Sequence, residues 1–398
     1  MTKTGTDNQS HSVLRMSGRA IVVVATLPRK YEVFEQREMH NPARLRLAKS
    51  ALALLHARNS LCALCALCVL SSMRLAGALP RIATIEFFGH KGVDVAAVRA
   101  ILPFHEGDEL SGGEEAKARV REAVVRATGK PATDVNGVCC TSDGGILLFI
   151  GIPGGSYKPF AYDPAPTGHA RVSTELEQLD ERLGQAIDAA VRKGGDPALE
   201  DHSKGYALTK DPEARSLQLT LRRYALAHEP ELLRVLKSSS DPSQRAIAGH
   251  ALGYARQSRR QLDALTRAAR DPDEGVRNNV TRAMWVLARA NNTMARQIQP
   301  DVFIEMLNSG IWTDRNKGTL VLERLTANRN PSVLARLKTT ALDSLIEMTL
   351  WREGNHAYAA RMLLGRVAGI PEKQLEELAW KGPPETIVEA LVRKPGGV

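Results

Sequence analysis

The sequence predicts a mainly helical chain, an α-solenoid of stacked helix pairs preceded by a small α+β domain. Three observations carry that expectation. Asp211-Pro212, Asp241-Pro242 and Asp271-Pro272 recur at an interval of 30 residues, and each opens a helix-forming segment. Aromatic content is only 5%, while Ala, Leu and Arg are abundant, which favours helix over sheet across most of the 398 residues. Upstream of the repeats, residues 79–153 change to strand-like patterning broken by Gly and Pro.

Within the repeats, Asp before Pro suits an N-cap followed by the first helical position, where proline lacks a donor that would be unpaired anyway. An apolar helical run follows each: Leu217, Leu221 and Tyr224, then Ile247, Ala251 and Tyr254, then Val276, Val280 and Met284. Shorter runs, Leu232, Leu233 and Leu236, then Leu262 and Leu265, complete two helices per period. The phrase Asp271-Pro272-Asp273-Glu274-Gly275-Val276-Arg277 resembles the HEAT repeat. That resemblance implies a right-handed stack in which a turn Asp and an Arg six residues later form a ladder, and it implies a binding scaffold. The array is expected over 172–393. A capping box at Thr174-Glu175-Leu176-Glu177 starts its first helix, with Leu176, Leu179, Leu183, Ile187 and Val191 on one face. Later helices are expected near 299–309, 314–328, 332–349, 355–368, 371–380 and 384–393, with Trp312, Trp351 and Trp380 sealing layers at helix ends. Residues 394–398 read as a disordered tail.

Residues 1–78 have a different grammar. Arg44, Arg46, Lys49 and Arg58 precede an unbroken apolar run, Leu61–Leu70, and small residues ending Ala76-Gly77-Ala78. Basic region, short apolar core and A-x-A site are the layout of a secretory signal peptide. The core is too short to span a bilayer. The expectation is an exported, periplasmic protein cut after Ala78, with translation starting at Met39. Cys62, Cys65 and Cys68 lie in that core and lack the fourth ligand of an iron–sulfur run, since position 72 is Ser. They read as small apolar residues.

From Ile82, the pattern Ile82-x-x-Ile85-x-Phe87-x-Gly89 is a strand with a glycine stop. Asp94 can cap a helix carrying Val95, Val98 and Leu102, and a second helix from Gly113 to Thr128 carries Val120, Val124 and Ala127. Strands Thr133–Thr141 and Gly145–Ile152 follow, joined by a turn at Ser142-Asp143-Gly144-Gly145. The order β-α-α-β-β, the opening strand and Gly107-Asp108 resemble the polypeptide-transport-associated (POTRA) domain, with Gly89-His90 a departure from its usual Gly-Asn. This implies a module that lends a sheet edge or groove to other polypeptides. Cys139 and Cys140 point to opposite faces of a strand and are expected to pack rather than bond to each other. Residues 154–171, rich in Gly and Pro, read as a linker with Tyr157, Phe160 and Tyr162 available to a neighbouring surface.

No metal spacing, phosphate loop or nucleophile elbow occurs, so the sequence supports no catalytic, cofactor or metal site. The net charge of +10 looks nucleic-acid-like until it is divided: residues 1–78 hold 11 Lys/Arg against 4 Asp/Glu, leaving 43 against 40. Within 211–296 there are 15 basic and 9 acidic side chains, and Lys237 is the one lysine among the 15. Arginine's planar fork suits carboxylate and phosphate. Arg222, Arg223, Arg256, Arg282 and Arg289, on or at the ends of the helices that begin at the Asp-Pro turns, are therefore the expected partner-binding residues. The functional expectation is a non-catalytic protein–protein interaction scaffold of the cell envelope, with an acidic or envelope polypeptide as partner. Two alternatives are a cytoplasmic nucleic-acid-binding array and, from a resemblance at the level of the repeat, a bilin-lyase-like enzyme.

Overall fold

The computed structural model describes residues 80–392 apart from 111–112, 140, 142–143 and 194–199. The signal peptide, Met39, Cys62, Cys65, Cys68 and the tail 394–398 lie outside the described residues. The described residues open with β1 (Ile82–Phe88), α1 (Val95–Ala100), α2 (Gly113–Thr128), β2 (Asp134–Cys139) and β3 (Ile146–Gly151), the element order read from the sequence. The sheet order is β1-β3-β2, with β1 parallel and β2 antiparallel to the central β3. Asp94 caps α1 by accepting from the amides of Ala96 and Ala97 at 3.0 and 3.1 Å. In α2 the buried face is Ala116, Val120, Ala123 and Val124; Ala127, expected there, is exposed. Every residue of β3, Ile-Leu-Leu-Phe-Ile-Gly, is buried, so both of its faces are covered. Ile85, Phe87, Leu148 and Ile150 pack under α1 and α2. Phe88, Leu147 and Phe149 belong to the core of the helical array. Cys139 is disulfide-bonded, against the expectation of simple packing, and every other cysteine of the chain lies outside the described residues.

The array consists of α3 (Thr174–Arg192), a two-stranded hairpin of β4 (Glu200–Asp201) and β5 (Leu208–Thr209), α4 (Pro212–Ser238), α5 (Pro242–Leu252), α6 (Arg259–Ala268) and α7 (Glu274–Ala290). It continues with α8 (Asn292–Ala295), α9 (Asp301–Met306), α10 (Trp312–Leu325), α11 (Pro331–Thr340), α12 (Leu342–Thr349), α13 (Gly354–Val367), α14 (Glu372–Lys381) and α15 (Pro384–Glu389). Helices α5, α7, α10 and α13, with the first half of α4 ahead of them, form the second layer of the array, while α6 packs on α7, α9 on α10, and α12 and α14 on α13 as the first. This is a helical-repeat solenoid. Helix α4 is kinked at His228 (φ −117°, ψ 18°), two residues before Pro230, so its halves serve as the two helices of one repeat. Gly249 lets α5 approach α7: a Cβ there would meet Val280 Cγ1 at 2.8 Å. The expected helix 332–349 is two helices, broken at Ala341.

The caps depart from the sequence reading in two places. Helix α3 is capped by Ser173, one residue before the expected box, through the Leu176 amide at 3.2 Å. Asp211 and Asp241 cap α4 and α5 as expected, but Asp273 caps α7 and Asp271 does not. Asp271 is released for another role. It accepts both Nε and Nη2 of Arg245 at 2.7 Å, a buried bidentate pair.

That pair is one rung of a ladder. Arg215, Arg245, Arg277 and Arg315 each occupy the fourth position of a second-layer helix and donate to the backbone carbonyl six residues earlier, at Thr209, Ser239, Asp271 and Ser309. Three of them also reach a carboxylate of the following repeat: Arg245 to Asp271, Arg277 to Asp314 at 2.8 Å, and Arg315 to Glu347 at 3.4 Å.

Residues 154–171 run extended along this ladder against the chain direction. The Lys158 amide donates to Asn308 O, Asp163 to Arg270 O, and Gly168 to Ser238 O. Phe160 is buried, and Arg277 lies over the Tyr162 ring at 4.5 Å. The stretch that reads as a linker is a strap across the repeats. At its start Glu347 ties the three parts together, accepting from the Gly89 amide at 2.8 Å and from Ser156 Oγ at 2.5 Å as well as from Arg315. Trp351 Nε1 donates to Phe87 O at 3.0 Å, and Phe149 packs between Trp312 and Trp351 at 4.9 Å from each. Trp380, expected to seal a layer, is 55% exposed and stacks on Tyr358.

Candidate functional site

The second-layer helices present a basic face, and the hairpin β4–β5 lies across part of it. Where the five expected arginines stand there decides what the face can do. Arg222 is turned inward. Its guanidinium donates to the carbonyls of Tyr254 and Ala255 in the loop after α5 and lies 4.7 Å above the Tyr206 ring, between β4 and β5. Tyr254 and Ala255 are buried residues of that loop, and a buried carbonyl needs a donor, so Arg222 serves the fold. Arg282 is ion-paired with Glu200 of the hairpin. Burial alone would raise the Glu200 carboxyl, but Arg282 and His202 overcome it and hold it at about 2. His202 Nε2 stands 3.2 Å from Glu200 and its ring packs edge-on against Trp285.

The other three arginines are exposed. Arg223 makes a local bond to Thr220 Oγ1 at 2.9 Å. Arg256 follows α5 in a loop and makes no ion pair among the described residues. Arg289 lies over the Trp285 ring at 5.3 Å. The structure thus gathers Arg282 and Arg289 around Trp285, sets Arg222 and Arg256 at the loop after α5, and leaves Arg223 apart.

Sequence reasoning missed the neighbours of this group. Lys317 of α10 sits in the field of both Arg282 and Glu200. Burial and Arg282 push its ammonium down to about 8, against the pull of Glu200. His356 of α13 is held down to about 4 by burial and then by the Lys317 charge. Its ring lies 5.5 Å from that of Trp312. Nothing in the local sequence marks Lys317, because its significance comes from helices 35 and 39 residues away in the chain. Among the described residues, no group of His, Cys, Asp and Glu could hold a metal ion.

No family model matches the chain, and no curated protein matches it. A solved structure titled as that of computationally designed armadillo repeat proteins for modular peptide recognition is similar at 16% identity and a TM-score of 0.33, covering 55% of this chain and 98% of that one. So loose a likeness carries no argument about this chain, whose repeat architecture stands on its own helices.

Proposed function

We propose that the chain is a non-catalytic protein–protein interaction scaffold of the cell envelope, whose second-layer face receives an acidic segment of a partner polypeptide. The observation that carries this reading is the seating of Glu200 on Arg282 beside Trp285, with exposed Arg289 next to it. Glu200 is a carboxylate of the kind the proposed partner would offer, and arginine forks favour carboxylates. The N-terminal module supports a docking role as well. Its β-α-α-β-β order is that of the POTRA-like resemblance read from the sequence. The outer edge of β1 is engaged, by Asp108 and Gly107 on the Ile82 backbone, Glu106 on the Ile85 amide and Trp351 on Phe87 O. That leaves β2 as the edge for an added strand.

Export rests on the layout of residues 39–78. Sequencing the N-terminus of the native protein from fractionated cells should give Leu79 or a residue within a few positions of it; an intact cytosolic chain from Met1 would remove the envelope reading. The face is tested by reversing its exposed arginines, Arg223→Glu, Arg256→Glu and Arg289→Glu, together. Capture of the partner in a pull-down should be lost with little change in melting temperature, and salt should weaken the wild-type complex. Undiminished capture by the triple variant overturns the assignment of the face. Arg222 and Arg282 are unsuitable for that test, because each makes internal bonds whose loss would destabilise the fold.

A further inference from the structure

The carboxylate seat at Arg282 is already taken by the chain itself. Glu200 of β4 is ion-paired with Arg282 of α7, and His202 Nε2 stands 3.2 Å from the same carboxylate. The buried His202 ring lies edge-on to Trp285 of α7 at 5.0 Å. Farther along, Gln257 Nε2 in the loop after α5 donates to Lys204 O at 3.1 Å, and Gln257 Oε1 accepts from Asn291 Nδ2 at 3.0 Å. Tyr206 lies under the Arg222 guanidinium and 6.0 Å from the Tyr254 ring. The Thr209 amide donates to Gln218 Oε1 of α4 at 2.8 Å. Residues 200–209 thus touch α7, the loop after α5 and α4 in turn.

The first strand is laid down as a docked segment would be. Glu200 and His202 keep their side chains against the helices, while Asp201, Ser203 and Lys204 are exposed. A hairpin of two two-residue strands has no stability of its own, so these bonds to the helices hold it. Gly205 (φ +80°) fits because it lacks a side chain: a Cβ there would come within 1.8 Å of Gln257 Nε2. None of these contacts involves the exposed Arg256 or Arg289.

We propose that the hairpin is a built-in occupant of the second-layer face, and that the partner's segment displaces it by offering the same chemistry. That chemistry is a carboxylate followed two residues later by an imidazole or aromatic ring. The proposal rests on the reading of this face as the receiving surface and adds what regulates it. While Glu200 sits on Arg282, the seat is closed. The hairpin ends two residues before the Asp211 cap of α4, and so short a tether gives an effective concentration on the order of millimolar. A partner with the same contacts alone competes poorly against that. One that also places an acid on Arg289 makes a bond the hairpin does not make, and this difference shifts the equilibrium toward the open face.

The test uses the full chain and a fluorescent peptide with the sequence of residues 200–210, read by anisotropy. Two variants open the face. Glu200→Gln with His202→Ala removes the occupant's own contacts, and Gly205→Ala pushes the hairpin off Gln257 while keeping them. Circular dichroism checks that each is folded, and either serves if the other is not. The peptide should bind an opened variant at least tenfold more tightly than wild type. A peptide with glutamine in place of its glutamate should lose at least tenfold. So should Arg282→Gln added to the Glu200→Gln, His202→Ala chain, where the internal pair is already gone. Absence of binding to the opened variants, equal binding to wild type, or binding indifferent to the peptide glutamate or to Arg282 each overturns the proposal. The peptide reports on the hairpin and its seat, whereas the Arg223, Arg256 and Arg289 reversals report on partner capture, so either reading can fail without the other.

Discussion

At the scale of single residues, the ladder arginines and the interface carboxylates carry the sharpest consequences. Arg245 is 1% exposed and Asp271 6% exposed. Breaking a buried pair from one side strands the other charge, which typically costs about 3–5 kcal/mol. Arg245→Met should therefore lower stability by about that much in urea titrations, while Arg245→Met with Asp271→Leu should recover most of the loss. Equal losses in the single and double variants would show that the bonds to the Ser239 and Ser240 carbonyls, and not the pair, stabilise the turn. Asp134 of β2 gives a pH signature. It accepts from the Trp312 amide at 2.9 Å and so caps α10 from a different part of the chain. Burial, then the nearby Glu274, push its carboxyl up to about 7. With a folded-state value above the ordinary 3.8, the native protein holds a proton that the unfolded chain releases between about pH 4 and 7. Stability should fall as pH rises through that window, and Asp134→Asn should flatten the fall. An unchanged profile in the variant would assign the dependence to other groups. Lys317 has the opposite sign: its lowered value means stability rises with pH between about 8 and 10.5, as the buried charge is relieved.

At the scale of elements, the helices were legible and their partners were not. The Asp-Pro turns announced α4 and α5 because a cap and a first-turn proline act locally. Asp271-Pro272 looked the same, yet Asp273 took the cap, because Asp271 could satisfy Arg245 in the preceding repeat. That choice is tertiary and leaves no local trace. The strap is hidden in the sequence for a similar reason. Gly154, Gly155, Pro159, Pro164 and Pro166 give the composition of a linker, and what holds the segment are backbone bonds to residues more than a hundred positions away for Lys158 and Asp163. A signal did exist in Phe160 and Tyr162, which hold Arg270 and Arg277 against their rings at 5.4 and 4.5 Å. Phe160→Ala with Tyr162→Ala should release the strap and make residues 154–171 cleavable by a protease at low dose, with most helical signal retained. Continued resistance would mean that the backbone bonds alone keep it in place. The site arginines were half legible: their type and helix were readable, but Arg222 could not be told from Arg223 without seeing the carbonyls of Tyr254 and Ala255.

At the scale of the molecule, the docking of the N-terminal module changes what kind of solenoid this is. The continuous apolar run Ile146–Ile150 was the clue that β3 has cover on both faces, since a sheet with one wet face alternates. The cover is the C-terminal half of the array: Phe149 meets Trp312 and Trp351, and Arg352 reaches Glu86 at 3.2 Å and Glu106 at 3.0 Å. In a simple solenoid each repeat depends on its neighbours, so damage stays local. Here the module should couple to the repeats it sits on and to no others. Phe149→Ala removes a fully buried ring, a change that typically costs about 3–5 kcal/mol. Amide hydrogen exchange should then quicken in the sheet, in α10 and in α13, while α4 and α5, far from the module, keep their protection. Trimming residues 383–398 should show the converse locality: it removes Ile387, which is fully buried, and should loosen α13 and α14 before α5 and α7. If Phe149→Ala loosened every helix alike, the chain would be one cooperative core and the layered description would fail. If it loosened the sheet alone, the shared aromatic cluster would not couple the module to the array.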